Sequence, residues 1–340
     1  MLTKEQSKAL SAIRIPLILM VVMIHILPAR FEQIQSIYHV ISEGISHNLC
    51  QITVPCFFFL SGYFFFLNTK GWNIKVFHRK IIQRAQTLLI PYILWNIIHV
   101  VTELIRQIVQ NHVMPSVSWW YNLWTGPIDY PLWYVRDLMC MVVICPIFFL
   151  IATKLPRLAS LTLYIGLWLT YPLLNFSMPI GLSITAISFF GLGSVFALQH
   201  IDLFQILSRH KLSLLILNIT LLIIATYYNA HAVHPILISC LCITGGLGMI
   251  HAAQWLCTHP RVTESLNRWS KYIFFVFACH AVHIINMVIA RFALIEGDGI
   301  VKILCYFSIP ITTIAICIFM YHVLLRFTPR ILKLLTGGRI

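Results

Sequence analysis

The chain has 340 residues, 59% of them hydrophobic and 10% charged, with a mean hydropathy of +0.85. That balance excludes an ordinary soluble domain, and apolar runs long enough to cross a hydrocarbon core of about 30 Å recur along the whole length. The formal net charge of +14 is spread over the connections on one side of these runs, as membrane topology requires, so nucleic-acid binding is not expected.

An all-α, polytopic membrane helix bundle is predicted, one domain over 1–340 with about ten transmembrane helices, at 9–30, 49–68, 85–107, 132–152, 158–175, 180–200, 212–230, 234–256, 272–294 and 300–326. Helices are favoured because a membrane β-strand alternates polar and apolar residues over about 10 positions. Lys4 and Lys8 precede the first run as in a signal peptide, but no A-x-A-like site follows, so that run reads as an uncleaved helix. Most of the 24 lysines and arginines fall in connections that share a side with both termini, which places the termini in the cytoplasm.

The first span contains RIPLILMVVMIH, bounded by Arg14 and His25. Eleven positions make about three helical turns, so both side chains leave one face about 16 Å apart along the axis. Ionisable groups at such depth cost at least ~2.5 kcal/mol and face the bundle interior or a wet cavity. The plainer alternative is a snorkelling arginine and a histidine making one interhelical hydrogen bond.

The stretch 31–48 places Phe31, Ile34, Tyr38, Ile41 and Ile45 at steps of three and four, predicting an amphipathic helix lying flat on the outer surface. The connection 69–84, TKGWNIKVFHRKIIQR, carries Lys70, Lys75, Arg79, Lys80 and Arg84 with no acid, the strongest positive patch in the chain. In 108–131, Trp119, Trp120, Tyr121, Trp124 and Tyr130 read either as an interfacial aromatic belt or as a platform for stacking on a sugar ring.

Among the ten acids, most, Asp129 included, are expected in loops or at the surface, leaving Glu103 and Asp137 within spans and in the same outer third as His25. Glu103 has His99 and Arg106 one turn away, which allows a local ion pair. Asp137 follows Arg136 directly and so lies on a different face, which calls for a partner on another helix. His280 and His283 are spaced i, i+3 and His231 and His234 bracket a short loop, but no third ligand follows at a recognisable spacing, so no metal is expected. The ten cysteines lie almost all inside spans and read as packing residues, without a disulfide framework.

A basic inner patch of Arg79, Lys80 and Arg84, joined by Arg14, suits a polyanionic cytoplasmic donor. A buried histidine in the outer half suits removal of a proton from an acceptor hydroxyl. Together they describe group transfer across a bilayer. A glycan or lipid transporter or flippase would use the same buried charges and aromatics, but paired broken helices in two related halves are not evident.

Several segments, in order, carry a family likeness: Arg14 and His25; VPCFFFLSGYFFF at 54–66; FHRKIIQRAQTLLIPYILW at 77–95; LWTGPIDYPLWYVRDL at 123–138 with Trp133 and Tyr134; FFGLGSVFA at 189–197; and SKYIFFVFACH at 270–280. The chain resembles the acyltransferase-3 family of integral-membrane O-acyltransferases along essentially its whole length. The resemblance implies transfer of an acyl group, often acetyl, from cytoplasmic acyl-coenzyme A to a hydroxyl of a glycan or glycolipid, with acyl-coenzyme A as co-substrate and no tightly bound cofactor. By position, His25 resembles the catalytic residue, and Arg14, Arg79, Lys80 and Arg84 the donor-binding set. Glu103, Trp133, Tyr134, Arg136, Asp137 and His280 are expected in supporting or acceptor-site roles. His25 would act as base or through an acyl-histidine, and Ser61 reads as a packing residue beside Gly62, not a nucleophile.

Two features depart from the family pattern. Phe274 or Phe275 stands where a tyrosine is frequent, and no esterase-like domain is appended, so the chain resembles the stand-alone members. The implied partners are membrane lipids, acyl-coenzyme A and a glycan or lipid-linked sugar, and the implied location is the bacterial cytoplasmic membrane.

Overall fold

The computed structural model describes residues 2–26, 36–69, 71–111, 123–174, 178–206 and 211–339, and these are helical with no strand among them. In chain order the main helices are α1 (Lys4–Met23), α2 (Ile37–Phe66), α3 (Ile74–Val109), the bent pair α4 (Tyr130–Val143) and α5 (Cys145–Lys154), and α6 (Arg157–Thr170). They continue with α7 (Ile184–Leu198), α8 (Lys211–Tyr227), α9 (His234–Cys257), α10 (Pro260–Phe292), α11 (Gly299–Phe327) and α12 (Pro329–Leu335). Among the described residues, α1, α2, α3, α9, α10 and α11 are each long and apolar enough to cross a membrane, and the α4–α5 pair, bent by 60°, makes a seventh if counted as one span. Apolar α7 and α8 are shorter, at 15 and 17 residues.

The burial pattern is that of a protein in lipid. Ile93, Ile97, Val101 and Ile105 form an apolar stripe at steps of four along α3 and face outward. Polar Ser42, Ser46, Asn48, Asn96 and Ser194 are wholly buried. Hydrogen bonds account for such placement: the Ser46 hydroxyl lies 2.7 Å from both the Met23 carbonyl and the Tyr306 hydroxyl.

This inversion corrects the reading of 31–48. Residues 27–35 lie outside the described set, but Ile37–Asn48 does not lie flat; it runs straight into α2 as one 30-residue helix. Its outward residues include Ile37 and Val40, while Tyr38, Ser42, Gly44, Ser46 and Asn48 turn inward. Of the expected stripe, Tyr38 is buried and Ile45 packs against the core, while Ile37 and Val40, which were not part of it, face outward.

Helix α1 starts with a capping box, in which Thr3 accepts the Gln6 N–H and Gln6 accepts the Thr3 N–H. It stops at Met23, short of the expected 30, and His25 sits on the tight turn that follows, its N–H 3.3 Å from the Val22 carbonyl.

Helices α2 and α7 make the closest pairing. A Cβ on Gly62 would strike the Phe190 carbonyl, and one on Gly193 would strike the Phe59 carbonyl, so the two backbones touch through these glycines. This is the small-residue contact by which helices associate without a hydrophobic drive.

Candidate active site

A cavity of about 770 Å³ lies between α1, α2, α3, α4 and α10. Arg14, Ile18, Val21 and His25, at steps of four, three and four, form one wall, so the cavity follows one face of α1 for about 16 Å. Ser7, Ser11, Arg14 and Ser270 are shared with a shallower surface groove, which gives the arginine end its opening. Phe57, Leu60, Phe64, Trp133, Phe274 and Phe277 give the rest of the wall an apolar character.

The arginine end is built by α1, α2, α3 and α4 and by the segment after α12. Arg14 donates from Nε to the Ser11 carbonyl at 3.2 Å. Arg84 stands over the Phe65 ring, 5.7 Å from its centre, at the point where α3 widens into a π-helical turn over Ala85–Leu89. Such turns re-aim neighbouring side chains and recur at functional sites. Tyr134, from α4, places its hydroxyl 3.0 Å from the Ser61 hydroxyl of α2, so two of the singled-out motifs meet inside the cavity.

The remaining basic candidates, Lys80 and Arg79, do not line the cavity, although Lys80 shares the Phe65 ring with Arg84. Lys80 donates to the Phe65 carbonyl at 2.5 Å and lies over the Phe65 ring at 4.3 Å, so its ammonium serves the last turn of α2. Arg79 is exposed and does not line the cavity.

At the histidine end, the half-buried His25 ring makes no side-chain hydrogen bond among the described residues. It stacks on His280, with centres 5.2 Å apart and planes at 23°, and meets the edge of Tyr130 at 4.9 Å. His280 is wholly buried, and its Nδ1 lies 3.0 Å from the Val276 carbonyl. A carbonyl only accepts, so Nδ1 carries the proton in the neutral ring, and Nε2, with no hydrogen-bond partner among the described residues, is left as the acceptor. The backbone aims this ring: α10 opens into a π-helical turn at His280–Ile284 and breaks at Val282 and His283, the latter with φ +62°. A non-glycine residue in the left-handed region stores strain of about 1–3 kcal/mol, and such strain gathers at functional sites.

The carboxylates Glu103 and Asp137 are held differently. Glu103 is held on its own helix by Arg106 Nε at 2.8 Å and Gln107 Nε2 at 2.8 Å, with His283 Nε2 3.6 Å away. Arg136 folds back onto the adjacent Asp137 at 2.9 Å and donates to the Trp124 and Thr125 carbonyls, while Asp137 accepts the Ser183 N–H at 3.3 Å. The pair thus ties the loop before α4 to the start of α7, outside the cavity lining; Asp137 has the expected partner on another helix in the Ser183 N–H, and its neighbour Arg136 as ion partner besides.

Asp129, expected at the surface, is 0% exposed. Its Oδ1 lies 3.8 Å from His99 Nδ1, too far for a hydrogen bond, and neither carboxylate oxygen has a hydrogen-bond partner among the described residues. Burial pushes this carboxyl up to about 6 against the opposing pull of His99. An acid in the prolyl stretch GPIDYP, flanked by aromatics, was the available sign that this loop is packed inward. Arg339 was also missed as a site residue; it lines the cavity with Arg14 and Arg84, and the two glycines before it were the available sign of a chain turning back. Trp119, Trp120 and Tyr121 lie outside the described residues. Among those described, no group of three metal-ligating side chains is gathered.

The fold and the cavity define a multi-pass membrane protein with a guanidinium-lined entrance and a histidine pair at its far end. Over residues 7–322 the chain matches the acyltransferase domain family, acyltransferase-3, and it belongs to that family. It is 25% identical over 313 residues, 87% of this chain and 81% of the relative, to the succinoglycan biosynthesis protein ExoH of Rhizobium meliloti (strain 1021). No solved structure matches it significantly.

Proposed function

We propose that this acyltransferase moves an acyl group, acetyl in the simplest case, from cytoplasmic acyl-coenzyme A to a hydroxyl of a glycan or glycolipid, with His25 as the base. The observation that carries this reading is one cavity lined at one end by Arg14 and Arg84, which form no ion pair among the described residues, and at the other by His25. Guanidinium groups match phosphate oxygens in pairs, and the apolar wall between suits an extended acyl-bearing arm. The acceptor hydroxyl gives its proton to His25 as its oxygen attacks the thioester carbonyl carbon. The carbon–sulfur bond breaks and the proton passes to the thiolate, leaving an ester and free coenzyme A. Tyr130 and His280 hold the imidazole in place.

The relative's name, which speaks of succinoglycan biosynthesis, favours a glycan acceptor. In this reading α6, α7 and α8 join the longer helices to make ten crossings, both termini are cytoplasmic, and the bacterial cytoplasmic membrane is the location. Lys80 and Arg79 then serve the inner membrane surface and the end of α2, and Glu103, Arg136 and Asp137 hold the outer loops.

The test is donor consumption. Membranes containing the protein are given radiolabelled acetyl-coenzyme A and a lipid-linked oligosaccharide fraction from the host. Label in the saccharide, removable by mild base and absent with His25→Ala, is the expected result. Movement of saccharide across vesicles with no acyl donor and no label transfer would instead make the protein a transporter.

A further inference from the structure

Beyond α11 the chain does not trail away from the bundle. Helix α12 packs on α3, where Trp95 Nε1 donates to the Leu335 carbonyl at 3.0 Å, and Leu332 and Leu335 are buried. It ends in a closed turn: the Gly338 N–H reaches the Lys333 carbonyl at 2.8 Å and the Gly337 N–H the Leu334 carbonyl at 3.2 Å. Both glycines have positive φ, +60° and +84°, as this helix stop requires. A Cβ on Gly337 would strike the Thr87 carbonyl, so the turn is pressed against α3 one turn beyond Arg84.

The turn delivers Arg339 inward. Its guanidinium lies 4.6 Å from the centre of the Phe274 ring, its Nη1 donates to the Thr336 carbonyl at 3.0 Å, and it lines the cavity with Arg14 and Arg84. Among the described residues no carboxylate forms an ion pair with any of the three. Burial, then repulsion from Arg84 and Arg14, pulls the Arg339 guanidinium down to about 10. A long side chain just past a glycine turn reaches water easily, so its inward placement beside two like charges calls for an anion.

We propose that Arg339, carried by the turn at 336–338, is the third arm of an anion clamp with Arg14 and Arg84 that grips the phosphates of the acyl donor. The assignment rests on the donor reading above and adds to it a residue remote from the other two in sequence. The docked turn holds the third guanidinium beside the other two before the donor arrives, and a bound polyphosphate offsets their mutual repulsion.

The test is calorimetric binding of coenzyme A to detergent-purified protein, comparing wild type with Arg339→Gln, Arg339→Ala, Arg84→Ala and, as a control on the same segment, the exposed Arg330→Ala. Arg339→Gln keeps most of the side chain's length and its packing on Phe274, which guards against a folding defect in the alanine variant. Expected are a loss of affinity of about tenfold or more for both Arg339 variants and for Arg84→Ala, an Arg330→Ala value within about twofold of wild type, and a shallower salt dependence for Arg339→Gln. Wild-type affinity in Arg339→Gln alongside weakened binding in Arg84→Ala would overturn the third arm and leave the donor reading intact. Absence of coenzyme A binding by the wild type would overturn both.

Discussion

The imidazole of His25 lies against that of His280, ring centres 5.2 Å apart and planes at 23°. The contact joins the turn after α1 to the break in α10, two places where the regular helix has been given up. With Nδ1 committed to the Val276 carbonyl, the buried Nε2 of His280 has no hydrogen-bond partner among the described residues.

His280 is therefore expected to act as a positioning residue. His280→Phe keeps a flat ring in the stack and removes the acceptor. Its turnover should fall about tenfold to a hundredfold, at the lower end of what a general base contributes, while KM for the donor stays near wild type. His25→Ala should lose at least about a hundredfold. Equal loss of donor affinity and turnover in His280→Phe would show that the ring only holds the fold.

The Ser61–Gly62 pair separates packing from chemistry. Gly62→Ala forces a methyl against the Phe190 carbonyl, and overpacking of this kind costs about 1–3 kcal/mol. The thermal midpoint in detergent should drop by several degrees. Ser61→Ala loses only its contact with the Tyr134 hydroxyl, worth about 1 kcal/mol, and should retain most activity. An inactive, fully folded Ser61→Ala would restore the serine as a nucleophile.

Asp129 gives a pH signature. Its folded-state carboxyl is raised to about 6 from an ordinary 3.8 by burial, so ionisation opposes folding. Its protonated form contributes stability that is full below about pH 4 and lost as pH rises through about 6. Asp129→Asn should therefore gain on wild type in midpoint temperature as pH rises from 4 to 7, with no further gain above. A difference that is flat across this range would mean that Asp129 is not held in the buried environment described.

The glycine turn at 337 offers a way to misplace Arg339 without removing its charge. Gly337→Val puts a branched side chain at φ +60° and against the Thr87 carbonyl, a strain of about 1–3 kcal/mol. Coenzyme A binding should weaken about as much as in Arg339→Gln. Binding at wild-type strength would show that the turn does not position the guanidinium.

The helical class and the Arg14–His25 wall were legible in the sequence because both follow from one period: 3.6 residues per turn sets the length of a span and puts positions 14, 18, 21 and 25 on one line. The direction of burial was not. In 31–48 the apolar stripe was assigned to a surface helix, whereas Ser42, Ser46 and Asn48 join Tyr38 on the inner face, because hydrogen bonds to Tyr306 and Thr226 hold Ser46 and Asn48 there. Asp137 was expected to find a partner on another helix, and the Ser183 N–H at the start of α7 supplies one; its ion pair with the adjacent Arg136 was not legible, because it depends on the length of the arginine reaching back. Arg339 and Asp129 were out of reach for another reason: their positions depend on a turn and a loop whose docking is set by contacts with α3, through Thr87 and Asn96.

The most direct test of the central claim, that donor binding and acyl transfer occupy two ends of one cavity, is to measure both in the same purified variants. Acetyl-coenzyme A affinity and acetyl transfer are recorded for wild type, Arg84→Ala and His25→Ala. The account predicts that Arg84→Ala loses affinity, and that His25→Ala binds the donor as wild type does yet transfers nothing. Full transfer by His25→Ala, or unchanged donor affinity in Arg84→Ala, would contradict it.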